Sequence, residues 1–284
     1  MIITGSAKLA GVMGWPVTHS ASPRLHGFWL ERYGVDGAYV PLAVAPKDLV
    51  ACLHALPKLG FAGVNLTVPH KEAAVAAVDS LSDSARRIGA VNTVVVRRDG
   101  SLHGENSDAF GFLESLGAGA PNWVATDGPA VVIGAGGAAR AVCVALADAG
   151  VAEIRVVNRT AARAEALAGS LEGPITVMPW RERSAALSGA GLVVNATTLG
   201  MTGQPALDMD LDPLPGEAVV FDVVYTPLRT PLLADAARRG HSAVDGLGML
   251  LHQARPGFAA WFGVEPEVSP ELREHVLRAL EAQA

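Results

Sequence analysis

Ala130-Val-Val-Ile-Gly-Ala-Gly-Gly-Ala-Ala-Arg140 joins an apolar tetrad to a glycine-rich turn and then to a helix-like stretch, Ala141 to Asp148. Each small residue of this GxGxxA spacing has a physical reason. Gly134 permits a tight turn, Gly136 lets backbone approach a pyrophosphate, and Ala139 allows close helix–strand packing. Ala135, Gly137 and Ala138 complete the turn. The helix start offers unpaired N–H groups and a positive dipole end to an anion. A glycine-rich turn without a ligand is the alternative, and the strand–turn–helix context favours a dinucleotide site. The next apolar run ends in Val157-Asn158-Arg159-Thr160, with Asn158 24 positions past Gly134. NAD-specific folds usually place an acid here for the ribose 2′-hydroxyl. Asn158 with the cations Arg159 and Arg163 suits a 2′-phosphate instead, so NADP is expected over NAD. The plainer alternative is that both arginines are solvated helix-start cations.

Working outward, Ala130–Ile133, Glu153–Val157, Leu192–Asn195 and Ala218–Val223 read as strands of one alternating block. An earlier block has strands at Lys8–Met13, Ala38–Val44 and Gly63–Val68, with helices expected over Pro23–Tyr33 and Pro46–Leu59. Val91–Arg97 and Leu102–His103 read as a hairpin around Asp99-Gly100. Gly117 to Asn122 reads as a linker, and the tail from Gly248 is helical in pattern without a further strand. Such alternation predicts α/β architecture, with mostly parallel sheets covered on both faces.

The chain has 284 residues, half of them apolar and 18% charged, which predicts two domains with sizeable cores and excludes a disordered chain. A net charge of −6 argues against nucleic-acid binding through phosphate neutralisation. Cys52 and Cys143 form no metal or disulfide pattern, which fits a reducing cytoplasm. No export signal is read at the start, and polar residues interrupt the longest uncharged stretch, Ser184–Leu207. A soluble protein is expected.

Four polar clusters stand at the ends of predicted strands of the first block, where open α/β sheets build their sites. The first, Thr18-His19-Ser20-Ala21-Ser22-Pro23, can receive a carboxylate at a helix start, or Ser22 can be a plain N-cap. The second, Asn65-Leu-Thr67-Val-Pro69-His70-Lys71, puts Asn65 and Thr67 on one strand face and Lys71 at a helix opening, poorly placed against the dipole. The others are Gly89-Ala-Val-Asn92-Thr93 and Gly104-Glu-Asn106-Ser107-Asp108, where Asp108 alone reads as a cap. No HExxH or paired carboxylate spacing supports a metal, and a catalytic role is not expected of His19, His26, His70 or His103.

Together these motifs resemble the shikimate dehydrogenase family over almost the whole chain. The family's SxS, NxTxPxK, GAxNT, GxNTD, GAGGAxRA, NRT, NATxxGM and DGxxMLxxQ elements occur in order, from Ser20 to Gln253. Ser107 replaces the usual Thr and keeps the hydroxyl, and Ala109 is a second departure. The resemblance implies reversible NADP-linked reduction of 3-dehydroshikimate to shikimate, in the chorismate and aromatic amino-acid pathway. It implies a substrate domain over 1–105, a Rossmann-type NADP domain over 106–246 hinged to it over a cleft, and C-terminal helices over 247–284 returning to the first. Lys71 and Asp108 would be the catalytic pair. Ser20, Ser22, Asn65, Thr67, Asn92, Tyr225 and Gln253 would hold the substrate. Residues 134–139 with Asn158, Arg159, Thr160, Arg163 and Thr197 would hold NADP, with Gly248 and Met249 near the nicotinamide. The expected partners are small molecules, not nucleic acid or membrane, and the protein is expected to be a monomer or homodimer. A quinate/shikimate dehydrogenase with broader substrate range or NAD use is the nearest alternative. A non-enzymatic sensor of the same fold is a remoter one.

Overall fold

The structure, a computed structural model, describes residues 3–282. The chain begins β1 (Lys8–Gly14), α1 (Ser22–Arg32), β2 (Gly37–Ala43), α2 (Leu49–Ala55) and β3 (Phe61–Leu66). It continues β4 (Ser80–Leu81), α3 (Asp83–Ile88), β5 (Thr93–Val96) and β6 (Leu102–Glu105). These six strands form one sheet in the order β2-β1-β3-β5-β6-β4. β1 pairs in parallel with β2 and β3, and the predicted β5–β6 hairpin adds antiparallel to β3.

Why this sheet is buried follows from its residues. Met13, Val64, Leu66 and Val94 pack with Leu49, Leu53 and Leu56 into one apolar cluster. Full burial of each such side chain is worth about 2 kcal/mol. α1 turns Leu25, His26, Trp29 and Leu30 inward, and the chain leaves it through Gly34 at φ 61°, a left-handed conformation open to glycine.

After α4 (Asp108–Gly119), the chain runs β7 (Ala130–Ile133), α5 (Gly137–Asp148), β8 (Ile154–Val157), α6 (Ala161–Ser170) and β9 (Ile175–Met178). Then come β10 (Leu192–Asn195), β11 (Val219–Asp222), α7 (Pro231–Arg238) and β12 (Ser242–Val244). This sheet is parallel throughout, in the order β12-β11-β10-β7-β8-β9. The strand order reverses between β7 and β10, and open α/β sheets bind ligands beyond the carboxyl ends of the strands at such a switch point. The chain ends in α8 (Gly246–Phe262) and α9 (Pro270–Glu281).

Two compact units result: residues up to Ser107 with those from Gln253 onward, and Asp108–His252. The returning tail is tied down within the first unit. Trp261 Nε1 donates to Val94 O at 3.1 Å, and Trp29 Nε1 donates to Glu267 O at 3.0 Å. Gly63 makes room for Trp261, whose Nε1 lies 2.2 Å from where a Cβ would stand.

The elements depart from expectation in places. The helix expected over Pro46–Leu59 is broken into two 3-10 turns around α2, the second starting at Pro57, because proline cannot donate within a continuing helix. Lys71 opens no α-helix; it lies in a turn before the 3-10 segment Ala73–Ala76. The residues from Gly117 to Gly119 finish α4 and are no linker. β4, β9 and β12 were not expected.

Candidate active site

Each unit carries its own cluster. In the second, β7 is followed by Gly134, whose φ of 122° and a Cβ position 2.9 Å from Ala196 O leave no room for a side chain. Gly136 precedes α5 in extended conformation with nothing within 4 Å of its Cβ position. That open space faces a helix start without an acidic residue in its first turn, where the first N–H groups have no intrahelical acceptor. Buried Ala139 lets α5 close on the sheet. This is a cradle for an anion.

At the exit of β8, Asn158 Nδ2 donates to Thr160 O at 2.9 Å. Arg159 and Arg163 are exposed, and their guanidinium groups have no carboxylate partner among the described residues. α6 also lacks an acid in its first turn. Two unpaired cations beside a phosphate cradle fit a 2′-phosphate and would not fit a bare ribose hydroxyl as well.

The loop after β10 is braced by Asn195. Its Oδ1 accepts from Thr197 N at 3.1 Å and from Thr197 Oγ1 at 2.7 Å, and its Nδ2 donates to Leu199 O at 3.0 Å. Gly248 packs against Ser115, whose Oγ lies 2.3 Å from its Cβ position, so its local constraint is close approach of α8 to α4. Met249 is buried. Tyr225 is partly exposed, and desolvation pushes its phenol upward.

In the first unit a chain of buried hydrogen bonds links three of the expected substrate residues. Tyr39 Oη donates to Asn65 Oδ1 at 2.7 Å, and Asn65 Nδ2 donates to Asn92 O at 3.1 Å and Thr93 Oγ1 at 3.0 Å. Thr93 Oγ1 donates to Asn92 Oδ1 at 3.0 Å, and Asn92 Nδ2 donates to Ser107 Oγ at 3.0 Å and Gln253 Oε1 at 3.1 Å. Ser107 Oγ then donates to Gln253 O at 2.7 Å. Asn92 is only 1% exposed, and in a dry interior such paired groups are held stiffly because leaving one unpaired costs about 1–3 kcal/mol.

Ser22 does not cap α1; the N-cap is Ala21, and Ser22 N donates to Ser20 Oγ at 3.3 Å. Thr67 lies just beyond β3 with its N–H on Met13 O at 2.9 Å. Lys71 is half-buried and its carbonyl accepts from Val91 N at 2.8 Å. Asp108 is buried at the first position of α4.

Tyr39 belongs to this network and was missed from sequence, and Thr93 of the third polar cluster joins it without having been assigned a role. Tyr39 left one usable signal, a phenol inside a buried strand, since a buried Tyr hydroxyl needs a partner. His26 stacks on Tyr39 at 3.9 Å between ring centroids, its ring nitrogens without a hydrogen-bond partner, and desolvation lowers it to about 3. It stays neutral near pH 7. His70 Nε2 contacts Val44 O at 2.8 Å and is a buried strut. Among the described residues no three His, Cys, Asp or Glu side chains are placed to hold a metal ion, and no helix is long and apolar enough to cross a membrane.

Comparison with known proteins places these clusters in context. A sequence profile described as the shikimate dehydrogenase substrate binding domain matches residues 12–94, and one described as shikimate/quinate 5-dehydrogenase matches residues 124–201. The chain is 64% identical over 275 residues to a shikimate dehydrogenase (NADP(+)) of Paramagnetospirillum magneticum, covering 97% of this chain and 100% of the relative. Among solved structures, shikimate 5-dehydrogenase of Thermus thermophilus in complex with NADP(H) and shikimate is 41% identical, with a TM-score of 0.85 over 96% of this chain and 99% of that one. Quinate dehydrogenase of Corynebacterium glutamicum in complex with NAD is 34% identical, with a TM-score of 0.88 over 96% and 99%.

Proposed function

This chain belongs to the shikimate dehydrogenase family, and we propose that it performs the family's reaction with Lys71 and Asp108 as its acid–base residues. It is an NADP-dependent oxidoreductase that interconverts 3-dehydroshikimate and shikimate. The cofactor, when bound, supplies or accepts the hydride.

The chain's own residues supply binding, orientation and proton handling. The Ser20 and Ser22 hydroxyls receive the substrate carboxylate. Asn65, Thr67, Asn92, Gln253 and Tyr225 receive carboxylate or ring hydroxyls. Reduction of a ketone develops negative charge on oxygen, which the Lys71 ammonium stabilises or protonates. The Asp108 carboxylate favours the charged form of a cation. On the nucleotide, the turn from Gly134 to Ala139 holds the pyrophosphate. Asn158, Arg159, Thr160 and Arg163 hold the 2′-phosphate, and Thr197, Gly248 and Met249 line the remainder. The first unit is thus the substrate domain and the second the NADP domain.

One observation carries the substrate assignment: the buried chain joining Asn65, Asn92 and Gln253. These residues stand up to 188 positions apart (253 − 65), and their polar groups are pre-set in one place. Preorganised polar groups in a dry site hold a hydroxylated ring without reorganising. Lys71→Ala and Asp108→Asn test the assignment. Each should lower kcat by about 100-fold or more, and near-normal turnover in either would remove that residue from the pair. The fold likeness to a quinate dehydrogenase makes initial rates with shikimate and quinate, each with both cofactors, the matching test of substrate preference.

A further inference from the structure

Asp222, the last residue of β11, is fully buried and carries no ion pair among the described residues. Three neutral donors hold it instead. Its Oδ1 accepts from Asn195 Nδ2 at 2.9 Å and Val224 N at 3.0 Å, and its Oδ2 accepts from Thr230 Oγ1 at 2.7 Å. Burial pushes the carboxyl up to about 6 against these bonds, so a charge here is retained at a cost that an uncharged residue would avoid. Its partners lie at three different junctions of the fold. Asn195 braces the Thr197 loop, whose Ala196 carbonyl abuts Gly134 of the phosphate turn. Val224 leads into Tyr225. Thr230 caps α7 by accepting from Leu233 N at 3.3 Å. Gly246 at the start of α8 rests on the same corner, its Cβ position 2.2 Å from Val223 O.

We propose that Asp222 is a positioning residue: its carboxylate ties the β10-exit loop bearing Thr197 to the β11-exit loop bearing Tyr225, and so sets how tightly the second unit holds nucleotide. This rests on the reading of that unit as the NADP domain. The bond pattern makes a particular prediction about substitution. An amide at 222 can accept from Asn195 and Val224 on its oxygen, while its NH₂ donates to a Thr230 hydroxyl that has turned round. Asp222→Asn therefore keeps Asn195 and Val224 on its oxygen and Thr230 on its NH₂, and removing Thr230 from that variant leaves a buried NH₂ without that acceptor.

The test is the NADPH dissociation constant of the full chain, by fluorescence titration, for wild type, Asp222→Ala, Asp222→Asn, Thr230→Val and the Asp222→Asn/Thr230→Val double variant. Asp222→Ala should weaken binding about tenfold or more, and Asp222→Asn should restore it to within about threefold of wild type. Thr230→Val alone should cost at most about threefold, and the double variant should exceed the product of the singles. If Asp222→Ala does not fold, the four-member cycle carries the test alone. An additive cycle overturns the proposal, as does a folded Asp222→Ala with wild-type affinity. Wild-type protein that binds no NADPH would instead overturn the underlying cofactor reading.

Discussion

Replacing Asp222 with asparagine should stabilise the protein at neutral pH, and the gain should fade as the solution is acidified. The carboxyl lies near 3.8 in an unfolded chain and at about 6 in the buried site. The native state therefore holds a proton that the unfolded state has already released, and wild-type stability rises as pH falls through this window. Read upward, moving from 3.8 to about 6 means that ionising Asp222 inside the fold removes about 3 kcal/mol by about pH 8. The penalty is about 1.5 kcal/mol near pH 5 and about 0.5 kcal/mol near pH 4. An amide carries no such penalty and retains all three partners if Thr230 turns its hydroxyl. At about 2–4 °C per kcal/mol, the variant should melt roughly 6–12 °C above wild type at about pH 8. The two curves should converge by about pH 4. Calorimetric scans of both proteins at four pH values would show this. A variant that melts lower at the alkaline end, or a gap that does not change with pH, would refute the view that the buried carboxylate is ionised at a cost.

His26 has the opposite sign: its folded value of about 3 lies below the ordinary imidazole value of 6.5, so stability is lost as pH falls from 6.5 toward 3. That loss is about 2 kcal/mol between about pH 7 and 5, and His26→Leu should show a shallower acid dependence in urea titrations. Arg159→Ala should raise the NADP KM about 10- to 100-fold while moving the NAD KM by less than about threefold. Equal losses would remove the 2′-phosphate role. Ser107→Ala strips the hydroxyl shared by Asn92 and Gln253, and should raise the shikimate KM about tenfold with the NADPH dissociation constant unchanged. Ser107→Thr should restore it, and a failure of that rescue would mean the hydroxyl is not what matters.

What could be read without coordinates was what neighbouring residues decide among themselves. Gly134 to Ala139 read as a strand–turn–helix junction because the glycines, the small Ala139 and the following helix start lie within a few residues, and the structure has that junction. Strands buried on both faces, such as β7 and β10, were visible as unbroken apolar runs. β9 and β12 sit at or near the sheet margins, half-exposed, and carry no such run. Lys71 was expected at a helix opening, and a turn there ends in a 3-10 segment whose continuation local preference does not dictate. The polar networks were beyond sequence altogether. Tyr39 finds Asn65 26 positions away and Ser107 finds Gln253 146 positions away, while Asp222 meets Asn195 only because β10 and β11 pair in register. A hydrogen bond is specified by position in space, and for partners so distant along the chain only the packed sheets and the returning helix supply it.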